Sequence, residues 1–168
     1  IDQYVNARYR IVCLISAYSG LRLKNVVHLI RKEVNLKKDG WLNIEHQSKT
    51  GKPISIPISP TLRNVFGLIK VWPMKDKDKF FPDLKEKPIS VQVGRAFKRA
   101  GIAWASFPHF RHFAACHLIN NHVPLEVVRE FLGHADIKST LVYGRLKGET
   151  LQEAVRVFDT TLTQIGSH

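Results

Sequence analysis

The sequence predicts a mainly α-helical domain carrying one small three-stranded antiparallel sheet. Apolar residues recur at helical spacing through most of the chain, from Ile11, Leu14, Ile15 and Tyr18 to Leu151, Val155, Phe158 and Leu162. The period changes between residues 33 and 58, where short runs are punctuated by Lys38-Asp39-Gly40 and Lys49-Thr50-Gly51-Lys52. The chain has 168 residues and is 44% hydrophobic, enough for one compact domain with its own core.

Taken in order, residues 2–18 read as a helix broken by Gly20, and a second helix carries Arg22 through Ile30 with Val26, Leu29 and Ile30 inward. Residues 33–36, 41–46 and 53–58 read as three strands. Ser59-Pro60 opens the next helix, with the serine as N-cap and the proline at the first helical position; it runs to about Val71. A charged loop follows at 73–79, the segment expected to be most flexible. Residues 90–100 form a helix closed by Gly101. Three more helices follow: 109–121, then 124–132 between Pro124 and Gly133, then 137–143 capped by Asp136. A last helix is expected at 149–163, with its apolar residues on one stripe.

Charge narrows the function. Lys and Arg number 26 against 14 Asp and Glu, a formal charge of +12. Such an excess points to a polyanionic partner, either nucleic acid or an anionic membrane surface; because no single basic tail carries it, simple solubility charge is the alternative account. No apolar run approaches the roughly 20 residues that span a bilayer, and no signal-peptide pattern opens the chain. Cys13 and Cys116 lie in apolar helical patterns and read as reduced core residues of a cytosolic protein. The chain opens on Ile1, and Met74 is its one methionine, so it is expected to be a piece of a longer polypeptide.

The densest chemistry lies in residues 111–143. Arg111 opens the stretch, Leu132-Gly133-His134 follows, and Tyr143 stands nine residues after the histidine. A guanidinium clamps a phosphate through a planar fork, a histidine moves or holds a proton near neutrality, and a phenol can serve as covalent nucleophile. Together these suggest phosphoryl transfer through a tyrosine. Lys49 in QSKTGKPISIPI and Arg22 in SGLRLKNVVHL are weak signals alone: a solvated turn and a surface arginine are the ordinary accounts.

As a set, Arg22, Lys49 in a hairpin, Arg111 in an Arg-His helix, Leu-Gly-His and Tyr143 resemble the catalytic domain of the tyrosine recombinases, the phage-integrase family. The resemblance runs from about Ile11 to Leu146 and includes Val-Val-x-x-Phe-Leu-Gly-His and the hairpin EHQSKTG at 45–51. It implies the fold of that catalytic domain and a site-specific DNA recombinase or integrase. It implies that Tyr143 attacks a DNA phosphodiester, forming a 3′-phosphotyrosyl bond and releasing a 5′-hydroxyl. Arg22 and Arg111 would stabilise the charge on the non-bridging oxygens. Lys49 would protonate the departing 5′-oxygen, and His134 would hold the phosphate or assist proton transfer. The phosphotyrosine conserves the energy of the broken ester, so neither ATP nor a metal or other cofactor is implied.

Two positions depart from the family pattern. The family usually has a histidine three residues before its second arginine; here that place is Pro108, and His109 lies two before Arg111. In a continuous helix a two-residue offset points about 200° away, but Pro108 starts the helix, so His109 is expected to turn into the site from its first turn. Asn25 stands where the family usually has an acid that orients the first arginine; an amide bonds the guanidinium without neutralising it.

His109, His112, Cys116 and His117 could suggest zinc. Residue 117 is rotated about 100° from 116 and a second ligand pair is missing, so core packing is the better account of Cys116 and His117. His112 is expected to be structural. Other functions compatible with the set are a type IB topoisomerase-like enzyme, which relaxes DNA without exchanging partners, and a non-catalytic DNA-binding module. The Leu-Gly-His spacing and the extra C-terminal helix favour the recombinase, and retention of the whole set argues against the module.

The resemblance further implies one catalytic domain over 1–168, from a longer integrase whose N-terminal DNA-binding domain is absent here. It implies double-stranded DNA as partner, a homotetramer on DNA for the full-length protein, a monomeric fragment in solution, no membrane association, and a place on cytoplasmic or nucleoid DNA. Helix 149–163 is expected to pack on its own domain or on a neighbouring protomer.

Overall fold

The computed structural model describes residues 5–69 and 74–134. The expected helices 137–143 and 149–163, and Tyr143 itself, lie outside the described residues. Eight elements of regular structure and one short 3₁₀ turn order the rest: α1 (Ala7–Ser19), α2 (Leu23–Val27), the 3₁₀ turn Arg31–Glu33, β1 (Trp41–Ile44), β2 (Ile54–Pro57), α3 (Pro60–Gly67), α4 (Glu86–Arg99), α5 (His109–Asn120) and α6 (Leu125–Leu132).

α1 starts where the Asn6 side chain accepts the Arg8 N–H, and ends where Gly20 turns left-handed at φ 67°. It is the central helix: Val12 and Ile15 are wholly buried, and α3 and α5 pack against it. Ser59 caps α3 by accepting the Leu62 N–H, with Pro60 at the first position. That helix ends at Gly67 rather than near Val71, because the Leu68 and Ile69 N–H groups tighten onto the carbonyls of Val65 and Phe66. α4 begins at Glu86, four residues before the expected start. Pro88 falls inside its first turn, where no N–H is needed for the helical ladder. α2 is likewise shorter than expected and stops at His28.

The sheet has two strands among the described residues, not three. β1 and β2 pair antiparallel, Leu42 opposite Ile56 and Ile44 opposite Ile54, with these four side chains inward. Residues 33–36 do not extend the sheet; they contribute one bridge, Val34 to Leu42. The Glu33 carboxylate accepts the Ile30 N–H at 3.0 Å and coils the chain into the 3₁₀ turn. Arg31 Nη1 then donates to the Val34 carbonyl at 2.7 Å, and the Asn35 side chain accepts the Lys37 N–H. Of these bonds only that to the Val34 carbonyl uses a group of 33–36; the Asn35 N–H still donates to the Trp41 carbonyl, and the pairing with β1 stops at that single bridge.

The principal core joins α1, the sheet, α3 and α4 through Val12, Ile15, Leu29, Leu42, Ile56, Leu62 and Ile89. A smaller cluster of Ala115, Val128 and Leu132 fastens α6 onto α5. Gly20 brings the two halves together. A Cβ at that position would lie 2.6 Å from Leu132 Cδ2, so the end of α1 touches the end of α6 only because residue 20 has no side chain.

Candidate active site

The ends of α1 and α6 create a centre that Arg111 fills. Arg111 is 6% exposed; its Nη1 donates to the Gly20 carbonyl at 2.7 Å and its Nη2 donates to the Leu132 carbonyl at 2.7 Å. Both acceptors stand at C-terminal helix ends, where the backbone dipoles favour a cation. The pair of bonds explains how a buried charge is tolerated here and requires the planar fork of arginine.

Arg22 is presented by the segment just after α1. Ser16 Oγ donates to the Leu21 carbonyl at 2.7 Å, Ser19 Oγ donates to the Ile15 carbonyl, and the Leu21 N–H returns to Ser19 Oγ. Both serines are buried, so this turn is held by satisfied polar bonds within the core. Arg22 itself is half-buried, and its Nε is shielded from solvent without a hydrogen bond. Asn25, one turn on, is buried; its Oδ1 accepts the Ser48 N–H at 2.9 Å, and its Nδ2 makes no hydrogen bond. The amide that replaces the expected acid therefore grips the hairpin that carries Lys49.

That hairpin turn is closed by Gln47, whose N–H donates to the Lys52 carbonyl at 3.0 Å and whose carbonyl accepts the Gly51 N–H at 2.9 Å. Gly51 takes φ 67°, and Lys49 is exposed at the tip. His134 follows Gly133, the left-handed cap of α6 at φ 63°, and its N–H donates to the Arg129 carbonyl at 3.0 Å.

These elements converge electrostatically on His134. Its imidazole is pushed down to about 4, by burial first and then by Arg111, Arg22, Lys49 and His112. Four sequence-predicted residues, Arg22, Lys49, Arg111 and His134, thus share one neighbourhood although they come from four places in the chain. His134 is neutral at pH 7 and weakly basic, so it is suited to hydrogen-bonding a phosphate rather than to taking up a proton. A cleft of about 280 Å³ is lined by Arg22, Lys24, Ser48, Ser90, Pro108 and Arg111 among others. A second, of about 500 Å³, is lined by Gln47, Lys52, Arg129, Gly133 and His134 among others. Gln47 lines the second cleft and Ser48 the first.

His109 is placed differently. It is the first residue of α5; its Nδ1 accepts the Ser106 N–H at 3.0 Å, and its ring meets Trp104 edge-on with centroids 5.2 Å apart. It is absent from the groups that depress His134, whereas His112 is among them. The His109 and His112 rings are 5.2 Å apart, as expected for two residues three apart on one helix face. His112 is also held below its usual value, by desolvation first and then by His109 and Arg111. Sequence reasoning assigned His112 a structural place and did not single out Gln47. Their signals were slight: a histidine beside an arginine, and a glutamine in a polar turn. Among the described residues no group of three or more His, Cys, Asp or Glu side chains converges in a way that could hold a metal ion.

Comparison with known proteins agrees with this architecture. Residues 2–149 match the model of the phage integrase family. The chain is 30% identical over 158 residues to tyrosine recombinase XerA of Pyrococcus furiosus, covering 88% of this chain and 54% of that protein. It is 27% identical over 164 residues to tyrosine recombinase XerC of Bradyrhizobium diazoefficiens, covering 90% of this chain and 50% of that protein. The chain therefore spans about half the length of the curated relatives it matches. Among solved structures, the XerH recombinase in a post-cleavage complex with palindromic difH superposes with a TM-score of 0.71 at 22% identity, over 92% of this chain and 48% of that one. The Tn1549 transposon integrase bound to transposon right-end DNA gives a TM-score of 0.71 at 16% identity, over 94% of this chain and 61% of that one. With a family match over most of its length and the same fold in these structures, the chain belongs to the phage integrase family.

Proposed function

We propose that this chain is the catalytic domain of a site-specific tyrosine recombinase, which cleaves and rejoins DNA through a 3′-phosphotyrosyl intermediate. The observation that carries the reading is Arg111 bonded to the ends of both α1 and α6, which brings the Arg22 turn next to Gly133-His134, while Asn25 ties the Lys49 hairpin to α2. Arg22 and Arg111 supply fixed positive charge to the non-bridging oxygens of a phosphodiester. Tyr143 attacks phosphorus and gives up its phenolic proton to water, while the neutral His134 hydrogen-bonds a non-bridging oxygen of the phosphate. The bond from phosphorus to the 5′-oxygen breaks, and Lys49 delivers a proton to that oxygen. The reverse steps, with a 5′-hydroxyl from another strand, reseal the DNA without ATP. His109 acts from the first turn of α5 through His112, its ring neighbour, on the same centre.

Double-stranded DNA is the proposed partner, in keeping with the DNA named in the XerH and Tn1549 complexes and with the formal charge of +12. The longer protein would add an N-terminal DNA-binding domain and assemble as a tetramer on two duplexes, with residues 149–163 packing on their own domain or a neighbour's, while the fragment alone stays monomeric. It would work on cytoplasmic or nucleoid DNA; no helix among the described residues is long and apolar enough to cross a membrane. Neither a plain DNA-relaxing enzyme nor a non-catalytic module is favoured by a specific observation.

The test uses a pool of randomised duplexes nicked in one strand, so that the short 5′-hydroxyl product diffuses away and traps the adduct. We expect covalent protein–DNA adducts, recovered under denaturing conditions and lost in Tyr143→Phe. Absence of any adduct from the whole pool, or its persistence in Tyr143→Phe, would count against the reading.

A further inference from the structure

We infer that Gln47 is a positioning residue for strand cleavage: its buried side chain wedges the Lys49 turn against the Gly133–His134 turn, fixing Lys49 relative to His134. The inference rests on the reading of Lys49 as the proton donor to the leaving oxygen.

Gln47 is 4% exposed, while its neighbours Glu45, His46, Ser48 and Lys49 are exposed. Both of its backbone groups close the turn, onto Lys52 and Gly51, so it sits at the base of the loop whose tip is Lys49. Its side chain lies directly on the cap of α6. A Cβ built on Gly133 would fall 2.6 Å from Gln47 Nε2, closer than packing allows, and a tight 3.1 Å from Oε1. The next residue is held from the other side, where Asn25 Oδ1 accepts the Ser48 N–H. The turn is therefore gripped between α2 and the end of α6, and Gln47 is the grip on the His134 side.

The chemistry fits an uncharged, long side chain at this place. Lys49 must reach the departing oxygen while His134 stays near the phosphate, and a misplacement of about 1 Å can cost on the order of a hundredfold in rate. An alanine would leave the turn free to move off His134. Gln47 touches no reacting atom in this scheme, so its effect must pass through Lys49 and His134.

Two measurements on the chain test this. First, the His134 imidazole is titrated by NMR in wild type and Gln47→Ala. We expect the midpoint to climb from about 4 toward the ordinary histidine value as the turn retreats and the burial and Lys49 charge are lost. An unchanged midpoint overturns the inference. Second, a nicked duplex recovered from the randomised pool is compared with its 5′-bridging phosphorothiolate analogue, whose sulfur departs without needing a proton. We expect Gln47→Ala to cleave the oxygen ester roughly tenfold to a hundredfold more slowly and to regain near wild-type cleavage of the sulfur ester. A defect equal on both esters overturns the proposed route through Lys49. If Gln47→Ala does not fold, Gln47→Met keeps the length against Gly133; wild-type titration and cleavage are expected of it, and loss of either in a folded protein overturns the inference. Should wild type form no adduct with any duplex, the recombinase reading fails, while the titration still decides whether Gln47 fixes the turn.

Discussion

A single guanidinium does two kinds of work in this protein. Arg111 satisfies the carbonyls of Gly20 and Leu132 while its charge lowers the proton affinity of His134. Structure and electrostatics are thus inseparable at that residue, and activity loss in an Arg111 variant would not by itself report on catalysis. His134 offers a cleaner handle. Its folded-state value is depressed, so the unfolded chain binds the proton more readily, and the neutral side chain stabilises the fold above the ordinary histidine value. That contribution falls away as pH drops through the mid-6 range toward about 4. Replacing His134 by Gln removes the group, so we expect the melting temperature of the variant to decline less than that of wild type between neutral pH and pH about 4. Parallel declines in thermal melts would show that His134 is not held neutral by its surroundings. Arg111 and His134 were both legible in the sequence, because a helix end can be read from Leu-Gly-His and an Arg-His pair. The direction of the His109 ring has no such local signal, because it depends on the Ser106 N–H it accepts and the Trp104 ring it meets.

Elements matter here through their ends. α1, α6 and the β1–β2 turn each present an end to the same centre, and two of those ends are glycines in the left-handed region, Gly20 and Gly133. We expect Gly20→Ala to destabilise the protein by about 2–4 kcal/mol, from the left-handed backbone and the clash with buried Leu132. Equilibrium denaturation checks it, and a loss below about 0.5 kcal/mol would mean that α1 and α6 approach less closely than described. The helices were largely visible in the sequence because caps such as Ser59-Pro60 and closing glycines are local signals. The third strand was misread for the converse reason. Residues 33–36 have the apolar alternation of a strand, but the Glu33 carboxylate and the Arg31 guanidinium bond nearby backbone, and pattern alone does not weigh those competitors.

The whole molecule carries a formal charge of +12, and the proposed partner is a polyanion. Binding to duplex DNA should therefore release counterions, with a log–log salt slope of about −0.9 per phosphate contacted. For a footprint of about six phosphates we expect affinity to fall roughly a thousandfold between about 50 and 200 mM salt, measured by fluorescence anisotropy on a labelled duplex. A slope near zero would contradict a phosphate-dominated interface. The sequence by itself determined which residue types are available, Arg22, Lys49, Arg111 and His134, all suited to the proposed phosphate transfer, and caps and periodicity placed them at element ends. Only the tertiary structure decided how they meet. It set Asn25 on the Ser48 backbone, Gln47 against Gly133, and His112 rather than His109 among the groups that act on His134. Those contacts join residues far apart in the chain through close packing and hydrogen bonds, and such pairings leave no periodic trace in a single sequence.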